Sequence, residues 1–445
     1  MTTWSSFTFL CLILCLLSKK IQKKKEENSF CKKKTLHFRY FVKVFSDRWL
    51  GSETVLPIAL SSIIVPAKAP SHDDMLDLRP MSVSALEKKE YIALFEESTF
   101  NPLQTQTFNA LYKSDGNVLV AASTGSGVEV CGELAILRAL QQRNGKGKIV
   151  YVCPIAGLCS LRKRQWETRF GVPLEKLVLE LTGDTVTDLK LLEIGDIIVS
   201  TPEAWDRISR RWKKRKPVQD IDLFLVDQLH LLNAMHGHIL EVVVSRMRFI
   251  SARLEKPIRI VALSASLANA RDVGEWIGAS KPHTFNFHPT VRPVTLEMHL
   301  QGFDSVHFAP RLASMARPMV QTIQRTPVDK PIIVFVHARS QALSVAKDLK
   351  QMCDGLPDPG SRFRLVAKEE LERLVTQGGA IKTSAHIAFL VEYGIAIYHE
   401  NMTAAERDFI EKIYSLNLIS CVICSRDTCW SVPFRAYLVI IAGTE

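Results

Sequence analysis

Short, unbroken apolar runs recur along the chain, separated by longer amphipathic stretches. One series falls at residues 117–122, 148–153, 196–200, 223–226 and 259–263. A second falls at 331–336, 394–398, 420–425 and 436–441. Continuous Val, Ile and Leu, rather than alternation, predicts strands covered on both faces, as in parallel sheets. The stretches between them, such as 133–142, predict helices. Strand and helix alternating in this way define an α/β protein built of βαβ units. Phe287-His-Pro-Thr-Val-Arg-Pro293 separates the two series, and two prolines within five residues mark a linker there. Residues 38–66 predict two or three further strands, and 65–80 a proline-punctuated connection. No internal repeat is visible.

Length fits this division. At roughly 150 residues per domain, 445 residues make two or three domains. Apolar residues at 47% and charged residues at 23% exclude a disordered, collagenous or disulfide-scaffold chain. The net charge of +11 points to a polyanionic partner only if it is concentrated in the right place. Residues 1–36 hold eight lysines and two glutamates, so six of the eleven charges lie there. An eleven-residue apolar run, Phe7 to Leu17, precedes these lysines. It is too short to cross a bilayer, which takes about 20 residues, and its charge lies on the wrong side for a secretory signal. A membrane anchor, a nuclear-import or polyanion-binding tail and a non-native extension stay open for this segment. The rest of the chain concentrates charge once. Seven of the ten residues from Arg207 to Lys216 are basic, with Trp212 among them. That cluster fits phosphate contact with Trp212 stacking, or a solvated helix end with Trp212 packed on the domain.

The ten cysteines are scattered through apolar stretches, as buried reduced thiols are. Cys421-Val-Ile-Cys424 with Cys429 lacks a second ligand pair, so core packing is expected rather than a metal.

The chemistry begins after the first strand. Ala122-Ser-Thr-Gly-Ser-Gly-Val-Glu129 joins it to a helix. A strand, a glycine-rich turn and a helix N-terminus form a phosphate cradle of backbone N–H groups. A working loop continues Gly-Lys-Ser/Thr, with Lys on the β/γ-phosphates and the hydroxyl on Mg²⁺. Here Val128 and Glu129 occupy those two positions. A unit charge pair at about 4 Å is worth about 4 kcal/mol at an effective dielectric near 20, so an acid facing phosphates opposes binding. Further on, the strand Leu223-Phe-Leu-Val226 ends in Asp227-Gln228-Leu229-His230, the way a Mg²⁺-holding carboxylate is presented in P-loop NTPases. The next strand ends in Ser264-Ala265-Ser266.

With these motifs the sequence resembles the superfamily 2 DExH-box RNA helicases over about residues 40–445. Further matching stretches include Phe100-Asn-Pro-Leu-Gln104, Leu181-Thr-Gly-Asp-Thr185, Ile197-Ile-Val-Ser-Thr-Pro-Glu-Ala-Trp-Asp206 and Phe285-Asn-Phe-His-Pro289. The resemblance is to the second cassette of a two-cassette spliceosomal member. It implies two RecA-like parallel-sheet domains in tandem, the second incomplete, preceded by a short β segment. The implied boundaries are a non-family N-terminus at 1–36 and terminal strands of an Ig-like domain plus linker at 37–89. An ATP-binding domain at 90–287, a linker at 288–299 and a truncated second domain at 300–445 follow.

The resemblance also assigns roles. Gln104 reads adenine, and Ser123, Thr124, Gly125, Ser126 and Gly127 form the phosphate loop, which Val128 and Glu129 break. Asp227 holds Mg²⁺. Gln228 replaces the Glu that orients and deprotonates water, and an amide cannot act as that base. Ser264 and Ser266 couple nucleotide to RNA, and Thr182, Gly183, Thr201, Pro202, Arg210 and Arg211 contact it. In the second domain, Ser431 and Pro433 stand where the family has Gly and Asn. The implied cofactors are ATP and Mg²⁺, the partners spliceosomal proteins and small nuclear RNA, the location nuclear. Three readings follow: a degenerate regulatory, protein-binding cassette, an active ATP-dependent RNA helicase on small nuclear RNA duplexes, or a decayed gene fragment.

Overall fold

The computed structural model describes residues 39–45, 53–59, 72–143, 147–235, 237–254, 256–305, 307–354, 362–366 and 390–443. The lysine-rich N-terminus lies outside them. The chain divides into two units, 1–69 and 70–445. In the first, β1 (Arg39–Phe45) pairs antiparallel with β2 (Glu53–Ala59), in a register that sets Tyr40 against Ile58 and Phe45 against Glu53.

The second unit contains two parallel sheets. The larger has seven strands in the order β5-β6-β4-β7-β8-β3-β9. They are β3 (Val118–Ala121), β4 (Ile149–Val152), β5 (Val178–Glu180), β6 (Ile197–Ser200), β7 (Leu223–Val226), β8 (Arg259–Ser264) and β9 (Thr284–Asn286). Alternate side chains of each central strand enter different cores. Val118, Val120, Ile149, Tyr151, Leu223 and Leu225 enter one. Leu119, Val150, Val152, Phe224 and Val226 enter the other. This two-sided burial is why the strands read as continuous apolar runs. The smaller sheet runs β11-β12-β10-β13, from β10 (Ile332–Val336), β11 (Ile395–Tyr398), β12 (Cys421–Ser425) and β13 (Leu438–Ala442). It too has a core on each face. Cys421 and Cys424 are buried free thiols within it.

Two strands of the larger sheet escape the hydrophobic pattern. β5 and β9 are three-residue edge strands, too short to show a period. β9 draws the expected linker into the first lobe: Phe287 is fully buried and its N–H donates to the Ala121 carbonyl at 2.8 Å. At the other end, residues expected as linker before position 90 also join this lobe, with Val83 and Leu86 in its core.

Because all seven strands run the same way, their carboxyl ends share one edge, where open α/β sheets place ligands. Removing Phe287 tests how firmly the linker is seated there. Phe287→Ala is expected to cost about 3–5 kcal/mol in urea denaturation, whereas Leu300→Ala, 97% exposed, changes stability by about 0.5 kcal/mol or less.

Candidate nucleotide site

β3 leads through residues 122–127 into the helix Val128–Gln142. Gly125 and Gly127 adopt φ of +82° and +86°, a region that glycine enters without a Cβ clash. Ser126 closes the turn, its hydroxyl donating to the Ser123 carbonyl at 2.6 Å. A second helix pins the loop from outside. Asn101 caps Pro102–Phe108 in a capping box with Gln104. The Asn101 amide donates to the Ser126 carbonyl at 2.9 Å and the Gln104 amide to the Gly127 carbonyl at 3.2 Å. Gln104, expected to read adenine, here uses its oxygen on the Asn101 N–H and its nitrogen on the loop.

The two residues that break the loop have different surroundings. Val128 packs against the core. Glu129 forms a two-point pair with Arg162, at 3.0 and 3.1 Å. Burial would raise the Glu129 pKa, but the hydrogen bond and charge of Arg162 outweigh it and hold it below the ordinary value. Arg162 lies in the helix Ala156–Trp166, is buried, and also donates to Gln165 at 3.0 Å.

Asp227 leaves β7 buried against Tyr151, whose hydroxyl donates to it at 2.7 Å. The Gln228 N–H donates to its other oxygen, also at 2.7 Å. Burial pushes the Asp227 pKa up. Tyr151 and Arg162 oppose that rise, and the Glu129 charge adds to it. Gln228 sits at φ +55°, strained for a residue with a Cβ. Burial lowers the His230 pKa, favouring the neutral ring, and Nδ1 accepts the Ala265 N–H at 3.1 Å. Ser264 donates to the Ala265 carbonyl and Ser266 to the Phe287 carbonyl. The end of β7, the end of β8 and the segment after β9 are thereby joined.

The expected RNA-facing residues lie at the ends of β5 and β6. Buried Asp188 accepts from the Thr182 N–H and hydroxyl and from the Gly183 N–H, at 2.7–2.9 Å. Thr201 caps the helix Pro202–Ser209. Within the basic cluster, Arg207 donates to the Gly183 carbonyl, Arg210 to Asp206, and Arg215 to the carbonyls of Arg207 and Ile208. Arg211, Lys213, Lys214 and Lys216 are exposed. Trp212 is half-buried at the edge of the core, edge-on to Phe249.

Tyr151, Arg162 and His230 were not among the candidates of the sequence reading. Only His230 left a signal, as the fourth residue of the Asp227 motif. The others reach the site by packing. Among the described residues there is no group of three His, Cys, Asp or Glu able to hold a metal, and no helix long and apolar enough to cross a membrane.

A glycine-rich strand-to-helix loop after β3, with an aspartate ending the parallel strand β7 two places along the sheet, is the nucleotide-site architecture of a RecA-like P-loop domain. Residues 101–273 match the DEAD/DEAH box helicase family. The chain is 45% identical over 409 residues to the U5 small nuclear ribonucleoprotein 200 kDa helicase of Mus musculus, covering 92% of this chain and 19% of that one. It is 45% identical over 425 residues to the DExH-box ATP-dependent RNA helicase DExH12 of Arabidopsis thaliana, with the same coverages. To the activating signal cointegrator 1 complex subunit 3 of Homo sapiens it is 40% identical over 407 residues, covering 92% of this chain and 18% of that one. It thus spans about a fifth of the length of these relatives. The crystal structure of the DUF1998 helicase MrfA bound to DNA and AMPPNP shares the fold, with a TM-score of 0.52 at 14% identity over 85% of this chain and 47% of that one. The chain thus contains a DEAD/DEAH box helicase domain at residues 101–273 and is similar over 92% of its length to DExH-box RNA helicases.

The Tyr151–Asp227 bond makes a signed pH prediction. The folded Asp227 binds its proton more tightly than the unfolded chain does, so this group adds stability as pH falls through its raised pKa toward the unfolded value. Tyr151→Phe removes a donor that favours the charged form. Its cost, about 1–3 kcal/mol, is expected to be full at pH 8 and to shrink on acidification. Urea midpoints at pH 8 and 5.5 check this, and a cost that grows on acidification would refute it.

Proposed function

We propose that this chain is a helicase-fold cassette without Mg²⁺-ATP hydrolysis of its own, acting as a regulatory, protein-binding module in pre-mRNA splicing in the nucleus. The Glu129–Arg162 pair carries this reading. Where a hydroxyl would hold Mg²⁺, there is a carboxylate already neutralised by a buried arginine. The other expected ligand, Asp227, is buried and already accepts from the Tyr151 hydroxyl and the Gln228 N–H. Gln228 cannot take a proton from water. These residues do not fit a magnesium ion between loop and phosphates, and no hydrolytic step is assigned to them.

The spliceosomal setting rests on the names of the relatives, among them a U5 small nuclear ribonucleoprotein helicase. Contact with small nuclear RNA would fall to Arg211, Lys213, Lys214 and Lys216 together with the loops at Thr182, Gly183, Thr201 and Pro202. It would be weak, because Arg207, Arg210 and Arg215 are committed within the chain.

With Mg²⁺-ATP and duplex RNA, the expected phosphate release is indistinguishable from buffer, and RNA-stimulated release would overturn the reading. Val128→Lys with Glu129→Thr is expected to bind Mg²⁺-ATP at least roughly tenfold more tightly, since it restores a charge-assisted contact. Deleting residues 1–36 should leave capture of spliceosomal proteins intact, and loss of every partner would place the activity in the lysine tail instead.

A further inference from the structure

On the edge opposite the nucleotide site, the segments that lead into four adjacent strands enclose a recess. Glu193 precedes β6, Lys148 precedes β4, Lys216 and Asp220 precede β7, and Arg253 and Lys256 precede β8. These strands lie side by side in the sheet, so their amino ends bring the six residues together around a cavity of about 820 Å³. Two of its four cations are already engaged. Lys256 pairs with Asp220 at 3.3 Å and with Asp222 at 2.6 Å, and the Lys148 ammonium donates to the Leu192 and Glu193 carbonyls. Lys216 and Arg253 are exposed and have no ion pair among the described residues. An apolar shelf adjoins these two. The Arg253 guanidinium lies 4.8 Å from the centre of the Phe249 ring, which is 49% exposed on the helix Gly237–Ser251 and meets Trp212 edge-on. Ile194, next to Glu193, is 64% exposed.

The mixture of charges selects the class of ligand. A nucleic-acid strand carries a phosphate at every nucleotide, and in this recess it would lie against the exposed carboxylates of Glu193 and Asp220. The loops at Thr182 and Thr201, where RNA contact is expected, follow β5 and β6 and so stand at the other edge. A peptide can space its carboxylates to meet Lys216 and Arg253 and pass by the two acids. A guanidinium fork matches a carboxylate in two-point geometry, and an apolar side chain beside that carboxylate finds the Phe249 shelf. Arginine and aromatic residues are where interface energy concentrates. We propose that the amino edge of the larger sheet is a docking site for an extended acidic segment of another protein, with carboxylates on Lys216 and Arg253 and an aromatic or branched apolar residue against Phe249. The proposal rests on reading the chain as a protein-binding module, and gives that module a place and a partner chemistry.

The test uses the full chain and fluorescence anisotropy at fixed ionic strength, because exposed charges are screened by salt. Three labelled probes are titrated: a short peptide of Asp and Glu around one Phe, the same peptide with Asn and Gln in place of the acids, and an oligouridylate of equal net charge. The acidic peptide is expected to bind most tightly, and its amide counterpart not at all. Lys216→Glu with Arg253→Glu should weaken the acidic peptide by roughly tenfold or more. Lys347→Glu with Lys412→Glu makes the same change of net charge on exposed positions of the other lobe and should leave binding unchanged. Replacing the peptide's Phe by Ser should weaken binding to wild type several-fold, and Phe249→Ser should largely remove that difference.

Wild-type protein that does not bind the acidic peptide overturns the proposal. So does equal loss in the two double variants, which would make net charge the cause. Oligouridylate binding more tightly than the peptide, and weakened by the Lys216 and Arg253 reversals, would make the recess an RNA contact and overturn it as well. Should the double reversal fail to fold, Arg253→Gln decides: unchanged peptide binding would remove the guanidinium from the site. Failure here is separable from failure of the proposed function. RNA-stimulated phosphate release would overturn the regulatory reading and leave the peptide site standing, whereas capture of spliceosomal proteins without peptide binding would do the reverse.

Discussion

A sheet whose strands all run one way must send the chain back across a face after every strand, and it gathers every strand's carboxyl end at one edge. Both facts shape this molecule. The crossovers cover the larger sheet on two sides, so its central strands contribute alternate residues to two separate cores. The shared edge brings together the loop after β3, Asp227 after β7, the serines after β8 and Thr201 after β6. These residues are distant in sequence and adjacent only because the strands are parallel.

At that edge the charges are paired in an order of their own. A nucleotide site of the usual kind keeps a lysine, a hydroxyl and two acids available to a metal and its phosphates. Here one acid is committed to Arg162 and another to Tyr151, while the base position is an amide in a left-handed conformation. Arg162, Tyr151 and Asp227 are buried, and Glu129 reaches Arg162 from the surface.

Much of the architecture was readable from the order of residues. Nine of the apolar runs are strands, because burial on both faces leaves an unbroken mark. β5 and β9 left none, since three residues at a sheet margin carry no period. Among site residues, those in a contiguous motif were visible: the loop, Asp227 and the Ser264–Ser266 turn. Arg162 and Tyr151 were not, because their partners lie 33 and 76 residues away and only the folded sheet introduces them. Trp212 was ambiguous in the sequence: its basic neighbours allowed either stacking or packing on the domain, and the fold sets it edge-on to Phe249.

The clamp of Asn101 and Gln104 on the loop carbonyls has a consequence for how such a protein can change over time. The turn's shape is maintained by side chains outside it and by glycine conformations, none of which depend on Val128 or Glu129. The scaffold and the reaction therefore answer to different atoms. Substitutions at those two positions need not disturb the backbone, so the shape of the loop and the chemistry of its side chains can vary independently.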